Sequence, residues 1–353
     1  MTDPGQRLRS SLTAEQSASA VEFDSPIAME ALRATQVLHA ADQEPFPAPG
    51  RIRVITIANQ KGGVGKTTSS VNLGVALALY GLRTLVIDLD PQGNTSTALG
   101  VDHSVGTPSV YDALVGDSSL AEVVHPTTAT PLLSCVPATI DLAGAEIELV
   151  SVVAREYRLR RSIETYLQEL PPEQRPHYVL IDCPPSLGLL TLNALVAGDE
   201  VLIPIQCEYY ALEGLGQLLN NIDLVRRHLN PGIAVRTILL TMYDGRTKLA
   251  DQVAEEVRNH FGSLVLDTVI PRNVRVSEAP GYGQSVVTYD PGSRGSTSYV
   301  EAARELAHRG VSLPPLAFRP TPGTPVIAAP VGTAFPDTDA ATVPVPPSSE
   351  ERA

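Results

Sequence analysis

Apolar positions between residues 51 and 310 fall in short unbroken runs, not in strict alternation with polar ones. The runs are Val54–Ala58, Thr84–Ile87, Leu132–Val136, Val179–Ile181, Val201–Ile205, Thr237–Leu240 and Val265–Ile270. Mostly continuous aliphatic runs of this length suit strands buried on both faces. Between them, Thr67–Tyr80, Leu212–Leu229 and Leu249–Phe261 read as helices. Strand–helix alternation predicts an α/β fold, a doubly wound, mainly parallel sheet with helices on both faces. No internal repeat is visible.

The two ends of the chain read differently. Residues 1–50 are polar and close on Pro45-Phe46-Pro47-Ala48-Pro49-Gly50, which reads as a linker. One short helix is expected inside them, over residues 25–39. Ser25 would cap it, Pro26 suits its first turn, and Ile27, Ala31, Ala34 and Leu38 share a face. Residues 311–353 hold 10 of the 30 prolines, too dense for a helix or a packed sheet, so a disordered tail is expected there.

Composition narrows the function classes. A chain of 353 residues suffices for one large α/β domain or two small ones. With no Trp and 5 Phe, its core must be mainly aliphatic. No apolar run is long enough to span a membrane, and Met1–Arg7 lacks the pattern of a signal peptide, so no membrane partner is expected. Cys135, Cys183 and Cys207 lack pair spacing, which argues against disulfides and zinc and for a reducing cytoplasm. Cys183 and Cys207 flank strand ends and read as small core residues. The net charge of −13 argues against nucleic acid, although −4 of it lies in residues 1–50 and −2 in residues 311–353. The remaining −7 requires that any DNA contact come from a local basic patch.

The strongest motif is Asn59-Gln60-Lys61-Gly62-Gly63-Val64-Gly65-Lys66-Thr67-Thr68, between a strand and a helix. Glycines let backbone N–H groups curl around phosphate oxygens, and the helix N-terminus behind them adds partial positive charge. Lys66 would reach the β- and γ-phosphates of ATP, the Thr67 hydroxyl would bind Mg²⁺, and Thr68 would touch the α-phosphate. Gln60 stands where the first glycine of the common phosphate loop belongs, and a second lysine, Lys61, sits inside the loop. Two further strands end in acids. Leu85–Asp90 ends on Asp88 and Asp90, with Asp88 expected nearer the metal and the loop. Tyr178–Asp182 has the form of a Walker B strand, whose Asp182 would hold Mg²⁺ directly or through water.

The phosphate loop resembles the deviant Walker A type, in which the extra lysine crosses to the ATP of a partner subunit. Further motifs are Pro137–Glu146, Gln206–Gly214, Thr241–Thr247 and Val269–Pro280. Together they make residues 52 to 309 similar to the ParA/Soj family of partitioning ATPases. That resemblance implies an ATP-hydrolysing homodimer formed on ATP, with Lys61, Lys66 and Asp90 catalytic, Asp90 orienting the attacking water. It implies ATP contacts from Lys61 through Thr68 and from Pro271 and Asn273 at the adenine, with Mg²⁺ on Thr67 and Asp182. It further implies non-specific binding of double-stranded DNA through Arg246 and Arg275, with lesser support for Arg272 and Lys248. A ParB-type protein would stimulate hydrolysis, and the chain would sit in the cytoplasm on the nucleoid. No role is assigned to Glu208, Tyr209 or Tyr210. The rivals are a metabolic ATPase of the same fold, a MinD-like membrane regulator and a non-enzymatic binding module. The proline-rich end argues against the second, and Lys66 with Asp90 against the third.

Overall fold

The computed structural model describes residues 44–209 and 215–313. The expected helix over 25–39 and most of the proline-rich end, 314–353, lie outside them. Eight strands form one sheet in the order β3-β4-β2-β5-β1-β6-β7-β8. They are β1 Arg53–Ile57, β2 Thr84–Asp88, β3 His125–Pro126, β4 Leu133–Val136, β5 Tyr178–Asp182, β6 Glu200–Gln206, β7 Ala234–Tyr243 and β8 Val265–Pro271. Every pairing is parallel except that of β3 with β4. The seven longer helices among the described residues are α1 Lys66–Leu79, α2 Leu142–Glu148, α3 Arg158–Glu169, α4 Leu189–Ala197, α5 Leu215–His228, α6 Lys248–Phe261 and α7 Arg294–Val311.

Each of the seven apolar runs coincides with a strand, two of them running one residue past it at Ala58 and Leu132, and the sheet is doubly wound as expected. The runs are unbroken because each central strand feeds two cores. Val54, Leu85, Val179 and Val201 point into one, with α3, α4, α5 and α6. Their neighbours Ile55, Val86, Leu180 and Leu202 point into the other, with α1 and α7. Alternation is present, but both alternating faces are dry. The pattern does not single out α2, α3, α4 and α7, nor the two-residue β3. Arg53 opens β1 and is almost fully buried. Its guanidinium grips Glu200 at 3.0 and 2.6 Å and donates to the Leu306 carbonyl at 2.7 Å, tying β1 to β6 and α7.

The Pro45–Gly50 segment, read from sequence as a linker, is packed against the domain. Phe46 is 5% exposed and stacks on Tyr80 at 4.2 Å. The Arg304 guanidinium lies 5.5 Å from the same ring. Phe46 N donates to the Tyr80 carbonyl at 3.0 Å, and Gly50 N to the Gly310 carbonyl at 3.4 Å. The segment therefore straps the C-terminal ends of α1 and α7 together. Phe46→Ala is expected to destabilise the chain by about 3 kcal/mol, the usual cost of emptying a buried aromatic site. Urea denaturation measures it, and a loss below about 0.5 kcal/mol would return the segment to a linker.

Candidate functional site

The chain order reverses around β1, with β5 on one side and β6 on the other, and such a switch point opens a crevice at the carboxyl ends of the strands. The phosphate loop leaves β1 at that point. Asn59 anchors its start, donating to the Pro204 carbonyl at 2.7 Å and accepting from Lys61 N at 3.0 Å. Gly63 and Gly65 have φ of +74° and +90°, which a side chain would strain. Val64 is buried, and its carbonyl accepts the Thr241 hydroxyl at 2.8 Å. The loop then runs into α1 with Gly65 as the N-cap.

A cleft of about 670 Å³ lies over the loop. Gly62, Gly63, Gly65, Lys66, Thr67 and Thr68 line one wall, with Asp90 beside them. Lys66 is 7% exposed. Burial pushes its amine below the ordinary lysine value, against the pull of Asp182, Cys183 and Asp90. Asp182 sits fully buried at the end of β5. Its carboxylate accepts the Ser70 hydroxyl at 3.0 Å and the Thr95 hydroxyl at 2.7 Å, with the Thr67 hydroxyl close by. Burial nevertheless holds Asp182 above the usual carboxylate range. Burial raises Asp88 too, and Asp182 adds to it from the adjacent strand.

Asp88 and Asp90 part company. Asp88 was expected nearer the loop, yet its carboxylate accepts Ser96 N at 2.9 Å, the Ser96 hydroxyl at 2.7 Å and Asp90 N at 3.2 Å. It braces the Gly93–Ala98 turn and helix, because Ser96 is the nearest donor pair and is buried with it. Asp90 stays at the cleft, with one carboxylate oxygen accepting Gln92 N at 3.0 Å.

The other expected site residues lie elsewhere. Pro271 ends β8, and Asn273 follows it, accepting from Arg275 N at 2.8 Å as the cap of the Val274–Glu278 helix. Arg246 is 86% exposed and Arg275 53%. Arg246 forks onto Asp244 at 2.8 and 2.7 Å and draws that carboxyl well below its usual range. Arg275 contacts Glu278 at 2.9 Å and Asp290 at 3.2 Å. Cys135, Cys183 and Cys207 are buried free thiols with raised pKa values, as core residues would be.

The sequence reading missed part of the cleft. Leu142, Ala143 and Glu146 of the Pro137–Glu146 motif form its far wall, with Pro184, Pro185 and Ser186. Met242 also lines it, at φ +51°, a left-handed conformation that a side chain seldom adopts. The motif spelling around Met242 was the available signal, but its backbone angle is not written in residue types.

The fold, the loop and the acid-tipped strands are those of a P-loop NTPase of the deviant Walker A kind. A family model described as an AAA domain matches residues 52–235. The chain is 53% identical to the sporulation initiation inhibitor protein Soj of Bacillus subtilis, over 73% of this chain and 99% of that one. It is 51% identical to the chromosome partitioning protein ParA of Myxococcus xanthus, over 73% and 88%. Among solved structures it resembles a cobyrinic acid a,c-diamide synthase from Mycobacterium smegmatis with bound ATP analogue and magnesium. That likeness has a TM-score of 0.62 at 37% identity, over 73% of this chain and 95% of that one. The chain belongs to the ParA/Soj family of chromosome-partitioning proteins.

Thr241 holds the phosphate loop from β7, so Thr241→Val should leave the buried Val64 carbonyl without its donor. The expected loss of stability is about 1–3 kcal/mol, read by chemical denaturation. Stability equal to the parent's would show that the loop does not depend on this contact.

Proposed function

We propose that the chain is an ATP hydrolase that dimerises on ATP and segregates DNA. In this reading the dimer binds double-stranded DNA non-specifically on the nucleoid, in the cytoplasm. A ParB-type partner stimulates its hydrolysis. The observation that carries the proposal is the cleft itself, where a phosphate loop and a buried lysine meet two strand-end carboxylates. The relatives named for partitioning match at 51–53% identity, against 37% for the structure named as a metabolic synthase, which favours partitioning over the metabolic reading.

The backbone N–H groups from Gly62 to Thr67 face the phosphates in this reading, and Lys66 meets the β- and γ-oxygens. Thr68 takes the α-phosphate. The Thr67 hydroxyl and the Asp182 carboxylate are neighbouring hard oxygen donors, a set that fits Mg²⁺ directly or through water. Magnesium there would neutralise charge on the phosphate oxygens as the bond breaks. Asp90 orients the attacking water through the carboxylate oxygen that Gln92 N leaves free. Lys61 crosses to the nucleotide of the second subunit, and Pro271 and Asn273 border the adenine.

Gly62 offers a test of the sandwich. A Cβ at Gly62 meets nothing within 4 Å in the single chain, so a side chain there disturbs only a closely approaching second subunit. Gly62→Val is expected to fold, to bind ATP in calorimetry and to remain monomeric in light scattering. An ATP-dependent dimer of this variant rejects the face-to-face arrangement.

DNA binding is tested by co-sedimentation with DNA, with and without ATP. Arg275→Glu and, separately, Arg246→Glu are expected to abolish it while ATP-driven dimerisation persists. Affinity should fall with salt at a log–log slope of roughly −0.9 per phosphate neutralised, and equally for unrelated sequences. Binding that survives both substitutions removes these arginines from the interface.

A further inference from the structure

Glu208, just past the end of β6, belongs to a sequence motif that the proposed function leaves without a role. Its carboxylate joins three loops. One oxygen lies 3.7 Å from Lys61 Nζ in the phosphate loop. The other accepts from Arg272 Nη2 at 3.3 Å and from the Gln206 amide. Arg272 begins the segment that carries Asn273 and Arg275. One negative charge thus faces two positive ones, one from the loop after β1 and one from the segment after β8. Lys61, Glu208 and Arg272 side chains are 35%, 45% and 60% exposed, so each pair is weak and exchangeable.

We propose that Glu208 is the resting counter-ion of Lys61, a positioning residue that holds this lysine within its own subunit and passes wholly to Arg272 when Lys61 leaves. The proposal rests on the reading in which Lys61 crosses to a partner's nucleotide. Two cations sharing one carboxylate compete, so strengthening one contact weakens the other. Departure of Lys61 leaves Arg272 as the sole cation on Glu208 and draws the Arg272–Arg275 segment toward β6. The phosphate loop and the surface proposed for DNA then change partners in one event. Glu208 contacts neither phosphate nor the water-orienting Asp90; it acts through Lys61.

Two measurements on the full chain separate the counter-ion from the dimer reading. Without nucleotide, the rate of Lys61 acylation by an amine-reactive reagent, read by mass spectrometry, reports the contact directly. Glu208→Gln should raise it about two- to fivefold, the range for a partly exposed ion pair, and Arg272→Gln should lower it. An unchanged rate in Glu208→Gln overturns the proposal whether or not the chain dimerises. With ATP, the concentration giving half-maximal dimer in light scattering should fall about two- to fivefold in Glu208→Gln and rise in Arg272→Gln. Opposite signs at unchanged melting temperature are not the mark of a merely structural residue. A higher midpoint in Glu208→Gln also overturns the proposal. If Lys61 reactivity shifts as expected while the parent chain never dimerises, the counter-ion stands and the ATP-dimer reading falls.

Discussion

The site depends on the buried carboxylate of Asp182. It sits in a dry floor where an unpaired charge is costly, and hydroxyls from Ser70 and Thr95 donate to its two oxygens. Those donors belong to α1 and to the Asn94–Ala98 helix, so one acid at the end of β5 fixes how two neighbouring elements leave the sheet. The phosphate loop is set on the other side by Thr241 and Asn59, from β7 and against β6. The loop is therefore held by the strand ends around it, which leaves its own backbone N–H groups for a ligand.

Parallel strands make this economical. All seven parallel strands point their carboxyl ends to one edge, and β1 at the centre carries the loop there. The two cores above and below are mainly aliphatic, and the buried carboxylates Asp88 and Asp182 sit at strand ends, with Asp90 two residues past the end of β2. Asp88 and Asp182 face each other in register, and repulsion between them is part of what keeps Asp88 protonated more readily than an ordinary carboxyl. The arrangement leaves the cleft floor rich in acceptors, with Lys66 as the buried cation next to it.

Charge at the rim follows a different rule. Arg246, Arg272 and Arg275 each meet a carboxylate of their own chain. These are exposed pairs of small net value, so a phosphate can displace the acid at little cost. In the proposed function a single subunit of this acidic chain presents few such exchanges, and a dimer would double them on one face. In the proposed function this count is the reason for DNA binding to wait for the dimer.

The sequence by itself determined the sheet, the phosphate loop and the strand-end acids. Unbroken aliphatic runs arise only where both faces of a strand are buried, and the loop needs glycines at the positive-φ positions 63 and 65. The ParA/Soj motifs were legible as spellings. Tertiary structure decided what spelling does not carry. It turned Asp88 away to Ser96 and kept Asp90 at the cleft, because which donor is nearest depends on how the following turn folds back. It placed Leu142, Ala143 and Glu146 across the cleft from a loop some eighty residues earlier in the chain. It brought Phe46 onto Tyr80, since a proline-rich segment looks the same in sequence whether it hangs free or lies in a groove. It also set Glu208 between Lys61 and Arg272, a meeting of three chain segments that has no local signature.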